Sequence, residues 1–333
     1  MNPMLITEDL LIGYGRKNTE YAPLLPPINL HIAQGTICGL IGANGTGKTT
    51  LLRTIAGYLK PLGGIIKLGD KQLNNLIPSE RAKNISVVLT DRIEDPFLKV
   101  RDVVVMGRHP FTGFLGKLRQ ADEPIIDESI HQTGISHLQH KRMAEISDGE
   151  RQKVMIAKAL AQDTPLILLD EPAAYLDYPS RMELMKLLQK LSRKHGKTIL
   201  ISSHDLEILV RKADHLWLLG SGRAAVEGMP EHLILNGSVS SYFGSESLFF
   251  ESLTGQASFS DQADAVYVSA DKYSALWIRN ALVRKGFRLS DHSTSLIHVE
   301  YQNNTYVIKN EQHTVHQTDS LSGMLDALSG IIH

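Results

Sequence analysis

The sequence is poor in cysteine: Cys38 is the single one in 333 residues, so no internal disulfide can form. That suits a reducing compartment, with Cys38 as a small buried core residue. Neither charge is in excess, with Lys+Arg 35 against Asp+Glu 36. A chain with no basic surplus and no basic stripe is not expected to bind nucleic acid. No apolar run approaches the roughly 20 residues of a membrane-spanning helix. The opening Met1-Asn2-Pro3-Met4-Leu5 has no basic region followed by an apolar core, so a signal peptide is not expected. These absences predict a soluble cytosolic protein that can still dock on a membrane partner. What is present supports one large or two modest domains, with 42% hydrophobic residues to fill a core.

The stretch that organises the chain is Gly42-Ala43-Asn44-Gly45-Thr46-Gly47-Lys48-Thr49-Thr50. It fits G-x-x-x-x-G-K-[ST] at every fixed position and lies between an apolar strand pattern (36–41) and a helical one (50–56). Its glycines allow a tight turn that aims backbone N–H groups inward, and the helix that follows adds its positive end. In such a loop Lys48 supplies a point charge for the β- and γ-phosphates, and the Thr49 hydroxyl is a Mg²⁺ ligand.

Further along, Leu166-Ile167-Leu168-Leu169-Asp170-Glu171 is an apolar strand ending in two acids. Beside a P-loop, Asp170 would hold Mg²⁺ directly or through water. Glu171, pointing elsewhere because strand side chains alternate, would orient and deprotonate an attacking water. Two solvated acids at a strand end are the plainer alternative. Ser147 and Glu150 form a capping box, and Gly149 lies in the first turn of the helix they start, a second phosphate-binding end. His204 follows a buried strand (198–202) and can reach a γ-phosphate. Upstream, Tyr14 or Tyr21 could stack on an adenine ring, Tyr14 first; a turn aromatic packed on the sheet is the alternative.

The remaining pattern supplies the frame. Residues 5–13, 65–68 and 85–89 read as strands, and 91–144 as a mainly helical insertion. Within the insertion, helices are expected over 100–106 and 124–133, with a Gly/Pro/aromatic loop over 107–116. His131, His137 and His140 read as a solvated helical face, since nothing near them completes a metal ligand set. A helix is expected over 180–195, stopped by Gly196. Residues 245–261 read as a linker. Beyond it come a strand (265–268), a helix (273–285), a hairpin (296–301 and 305–308) around Asn303-Asn304, and a short helix (321–328). His313 and His316 do not make a metal site by themselves. This module reads as a ligand sensor, a dimer-strengthening element or a packing appendage.

Taken in order, these motifs resemble the nucleotide-binding subunit of an ATP-binding cassette (ABC) transporter, over residues 5 to about 244. The resemblance implies an α/β P-loop NTPase domain (1–244) with a helical subdomain (about 91–160), then a linker (245–261) and a small α+β module (262–333). It implies ATP and Mg²⁺ as cofactors and a head-to-tail homodimer. Gly42, Asn44, Gly45, Gly47, Lys48, Thr49 and Thr50 would hold the nucleotide, with Ser147, Gly149 and the D-loop residue Asp177 contributing across the dimer. Glu171 would be the general base and His204 the γ-phosphate contact, with Lys48 beside them. The family's Q-loop glutamine falls on Thr90, which could reach the metal only through water, unless Asp91 replaces it. The family's L-S-G-G-Q reads Ile146-Ser147-Asp148-Gly149-Glu150 here. Residues 100–113 resemble the group that imports iron-siderophores, haem or cobalamin. The partners implied are integral membrane permease subunits and, indirectly, a periplasmic or surface solute-binding protein. The place implied is cytoplasmic, on the inner face of the membrane. Other readings are an importer of a different solute, a non-transport ABC ATPase of DNA repair or translation, and an ATP-binding regulator with poor turnover.

Overall fold

The computed structural model describes residues 3–14, 23–89, 95, 97–113, 116–243, 265–290, 295–303, 305–310 and 313–332. The expected linker, Tyr21, Thr90 and Asp91 lie outside the described residues. The chain divides into two compact units, residues 1–242 and 243–333.

The first unit is built on two sheets. One has six strands in the order Val226–Gly228, His215–Leu219, Ile37–Gly42, Thr198–Ser202, Leu166–Asp170, Ile85–Val88. Five of these run parallel, and Val226–Gly228 is an antiparallel edge. Ile37–Gly42, Leu166–Asp170 and Thr198–Ser202 are buried at every residue, as a parallel sheet covered on both faces demands. The second sheet is antiparallel, in the order Ile28–Ala33, Pro3–Leu11, Gly63–Leu68, Lys71–Gln72. In Ile28–Ala33, Ile28, Leu30 and Ile32 are buried while Asn29 and His31 face out, the alternation of a sheet with one solvated face. Both sheets feed one core with Cys38, Leu40, Leu51, Ile55, Leu168 and Trp217.

A separate cluster of Val100, Val103, Ile126, Ile130, Val154 and Ala157 holds the helical region together. Here the loop expected over 107–116 is partly a 3-10 helix, Met106–Phe111, anchored inward. A Cβ on Gly107 would meet the Lys158 carbonyl oxygen at less than 3 Å. Arg108 is buried, with Nε donating to Asp122 Oδ1 at 2.9 Å and a terminal nitrogen to the Ala161 carbonyl at 2.8 Å. The Arg119 amide, and after it the Arg108 guanidinium, hold Asp122 below the usual carboxylate range. Asp122 also opens the helix Asp122–Gln132, two residues ahead of the expected start.

Other boundaries moved for local reasons. The P-loop helix is Lys48–Ala56 because Gly47, at φ 96, is its N-cap. The helix expected from Ser180 is Tyr178–His195, since the Asp177 side chain caps it and proline is tolerated in its first turn. Gly196, at φ 64, ends it as foreseen.

The second unit has one five-stranded sheet in the order Leu289–Ser290, Val266–Ser269, Ile297–Gln302, Thr305–Asn310, His313–Thr318. The first three are parallel and the last two antiparallel additions. Helices Lys272–Arg284 and Leu321–Ile332 complete the unit, and Val266, Leu282, Val299, Ile308 and Leu328 are in its core. The hairpin around Asn303, at φ 49, is present. His313–Thr318 was not foreseen as a strand: it is an edge of His, Thr and Gln around an exposed Val315, with no buried residue to give it a pattern.

Candidate functional site

The central strand Ile37–Gly42 delivers the glycine-rich loop to the carboxyl edge of the parallel sheet. A Cβ on Gly42 would sit 2.6 Å from Thr46 Oγ1 and 2.7 Å from the Leu219 carbonyl, so only glycine fits there. Gly45 and Gly47 have φ of +81° and +96°, a region open to glycine without strain. Asn44 and Gly45 form the exposed tip. No acid lies in the first turn of Lys48–Ala56, so no side chain of that turn offsets the positive helix end. Lys48 is buried, and its Nζ donates to the Gly42 and Ala43 carbonyls at 2.7 and 3.2 Å. Burial lowers its ammonium group below the ordinary lysine range, against the pull of Glu171 and Asp170 in the other direction.

Those two acids close the other side. Thr49 Oγ1 donates to Asp170 Oδ1 at 3.4 Å. Ser202 Oγ donates to the same oxygen at 2.7 Å and accepts the Glu171 amide at 2.9 Å. Sequence reasoning missed Ser202. Its signal is the register, which sets Asp170 directly opposite Ser202 on parallel strands. Side-chain alternation is not what turns Glu171 aside. The strand ends at Asp170, and Glu171 takes φ 47, a left-handed conformation that costs a non-glycine residue energy. That turn brings Glu171 Oε2 to 3.4 Å from His204 Nδ1. Lys48, Thr49, Asp170, Glu171 and His204 therefore form one group.

Tyr14 is exposed, and its hydroxyl hydrogen-bonds Thr50 Oγ1 at 3.2 Å, which places it beside the start of the P-loop helix. Ser147 lies apart from this group. Its amide and hydroxyl both donate to Glu150 Oε2, at 2.8 and 2.9 Å, and its oxygen accepts the Glu150 amide. These bonds hold Glu150 below the usual carboxylate range. Gly149 lets the helix Tyr178–His195 come close: a Cβ there would be 3.3 Å from Ser180 Oγ. Asp177 caps that helix by accepting the Ser180 amide at 3.0 Å. Arg181 then ties the D-loop to the histidine segment, with Nε on the Leu176 carbonyl at 2.8 Å and a terminal nitrogen on Asp205 at 3.1 Å.

A phosphate cradle, a lysine, a hydroxyl and a strand-end acid pair on one sheet edge define a P-loop nucleotide hydrolase site. Comparison with known proteins narrows the class. Residues 25–174 match the ABC transporter family model, and residues 263–329 match the iron ABC transporter C-terminal domain. An uncharacterised ABC transporter ATP-binding protein of Methanocaldococcus jannaschii is 42% identical over 69% of this chain and 78% of its own length. A probable siderophore transport system ATP-binding protein of Bacillus subtilis is 36% identical over 68% of this chain and 81% of its own. A solved cassette from Clostridium perfringens, part of an ABC transporter complex, superposes with a TM-score of 0.63 at 29% identity, over 72% of this chain and 93% of its own. The chain belongs to the ATP-binding subunits of ABC transporters, a family of ATPases, and carries the iron-transporter type of C-terminal domain. Among the described residues no helix is long and apolar enough to cross a membrane.

Proposed function

We propose that this chain is the ATP-hydrolysing subunit of an importer that takes up an iron-siderophore or a similar metal-chelate solute through separate permease subunits. The observation that carries the reading is the single cluster of Lys48, Thr49, Asp170, Glu171 and His204 on a chain with an iron-transporter C-terminal domain. In this reading the P-loop amides and Lys48 hold the β- and γ-phosphates. Thr49 Oγ1 and Asp170 Oδ1, 3.4 Å apart, fit neighbouring positions around Mg²⁺, whose ligands lie about 2.9 Å from one another. The ion would supply charge neutralisation for the phosphates. Glu171 would accept the proton of the attacking water, and His204, 3.4 Å from that carboxylate, would contact the γ-phosphate. Tyr14, whose hydroxyl bonds Thr50 at the start of the P-loop helix, is assigned to adenine.

Ser147 and Gly149 serve a second copy of the chain in a head-to-tail homodimer. In support, the amide and hydroxyl of Ser147 bond only Glu150 of its own capping box. Closure of the two copies on two nucleotides, and reopening after hydrolysis, would drive the permease from the cytoplasmic face of the membrane. A solute-binding protein would act upstream of the permease. The test is Mg²⁺-dependent ATP binding and turnover of the purified chain beside Lys48→Ala, followed by siderophore uptake in a strain lacking the gene. Wild type is expected to bind and hydrolyse ATP and restore uptake. Undiminished ATP affinity in Lys48→Ala would overturn the site, and full uptake without the chain would overturn the transport role.

A further inference from the structure

A second cluster lies at the opposite edge of the parallel sheet. His215 opens the strand His215–Leu219, whose other end, Leu219, is paired with Gly42 of the P-loop. Four residue steps along the strand separate the two ends by about 13 Å. At the far end, His215 Nε2 is 3.5 Å from Glu227 Oε2, and His31 Nδ1 contacts Glu227 Oε1. The ligand atoms of all three residues lie within 4.8 Å of one another. They come from separate strands, and His31 belongs to the other sheet.

An ordinary ion pair would need only one histidine. Here His215 Nε2 is shielded from solvent and makes no hydrogen bond of normal geometry, although it faces the carboxylate. The His31 amide also donates to Glu227 Oε2 at 2.7 Å, and the Trp217 indole donates to the His31 carbonyl at 3.1 Å, so the backbone around the cluster is fixed. Burial alone would raise Glu227, but the His215 and His31 contacts outweigh it and keep the carboxylate below its usual range. The two imidazole rings stand 5.4 Å apart at 53° to each other, so the two nitrogens approach the carboxylate from different directions. Cys38 pairs with His215 across the ladder but is not among the residues whose ligand atoms converge, and burial, with Glu227 and Asp214 behind it, pushes its thiol well up.

We propose that His31, His215 and Glu227 form a binding site for a divalent transition-metal ion of the zinc class, separate from the nucleotide site. Two imidazoles and a carboxylate are a three-ligand set that leaves a fourth, open position. His31 and His215 line a cavity of about 570 Å³, which gives the ion a route in and room for a water as fourth ligand. The 3.5 Å between His215 Nε2 and Glu227 Oε2 is close to the ~3.4 Å between neighbouring ligands of tetrahedral zinc, whereas His31 Nδ1 touches Glu227 Oε1 directly, so the half-exposed His31 ring must swing outward as the ion enters. A bound ion pins the antiparallel sheet to the edge of the parallel sheet and so makes the rigidity of the unit depend on metal supply.

The test is titration of the full chain, free of nucleotide, with Zn²⁺ by calorimetry and with Co²⁺ by visible absorption. One Co²⁺ per chain with the intense bands of a four-coordinate site is expected. His31 is half-exposed, so His31→Gln should fold; both it and Glu227→Gln should weaken binding at least about tenfold, while His131→Ala leaves it unchanged. Absence of the bands, bands that persist in the His31→Gln/Glu227→Gln double variant, or Mg²⁺ binding as tight as Zn²⁺ would overturn the site.

Discussion

The two units bury different kinds of residue. In residues 1–242 the buried set includes Lys48, Asp170, Ser202, Thr46 and Thr50, all within reach of one sheet edge. In residues 243–333 the buried set among the described residues is apolar except for Ser290. Burying a charge or an unsatisfied hydroxyl opposes folding, and a purely structural core avoids it. The first unit accepts that cost at the buried Arg108–Asp122 pair of its helical region and, with a left-handed Glu171 besides, at the sheet edge where phosphate chemistry needs fixed polar groups. Among its described residues the second unit buries one hydroxyl, Ser290, and no charge, and its left-handed Asn303 sits in a hairpin turn.

The strongest way to break this contrast is Glu171→Gln. It keeps shape and hydrogen bonding and removes the base, so steady-state ATP hydrolysis should fall by about 10²–10⁴ while ATP binding persists. A rate close to wild type would mean that the strained acid is not where the chemistry happens. The counterpart in the other unit is Leu282→Ala, a fully buried position. It should lower the stability of the C-terminal unit by about 2–5 kcal/mol, read by denaturant melting, without altering the ATPase rate. A large drop in turnover at a temperature where the unit remains folded would show that the module takes part in the cycle.

Ser202→Ala sharpens the comparison because it is the one substitution expected to affect both stability and activity. It strips a hydrogen bond from Asp170 and another from the Glu171 amide. The expected cost is about 1–3 kcal/mol of stability, from leaving those groups short of a partner. Turnover should fall too, with kcat affected more than KM, because the residue positions the acids and does not touch substrate. An unchanged kcat beside lowered stability would reduce Ser202 to a structural role.

Ser202 also shows where reading the sequence stops. The P-loop was legible because its chemistry depends on nine consecutive residues, and the Asp170-Glu171 pair because an apolar run ends on it. Ser202 acts on Asp170 across 32 positions, through a parallel register that no local pattern encodes. The His31, His215 and Glu227 cluster spans up to 196 positions, two sheets and an edge strand of only three residues. The strand His313–Thr318 escaped for a different reason: with every side chain polar or exposed, it carries no periodicity. The anchored segment Met106–Phe111 escaped because glycine, proline and phenylalanine read as loop until Arg108 finds Asp122. Local geometry was legible, and partnership across the sheet was not.

The smallest effect expected is at Glu150, where a charge is structural and half-buried. Its carboxylate accepts the amide and hydroxyl of Ser147, and those bonds depress its pKa below the unfolded value. A depressed carboxylate stabilises the fold above the unfolded pKa, and the contribution disappears as pH falls through the folded one. Glu150→Ala should therefore cost about 0.5–2 kcal/mol at pH 7, as for loss of a helix cap, and progressively less as the solution is acidified below pH ~4.5. Denaturant titration of both proteins at a series of pH values reads the difference directly. If the gap instead widened on acidification, the protonated acid would be the better cap. Ser147 would then be held by a neutral group, and the negative charge beside its hydroxyl would have no part in fixing it for a phosphate.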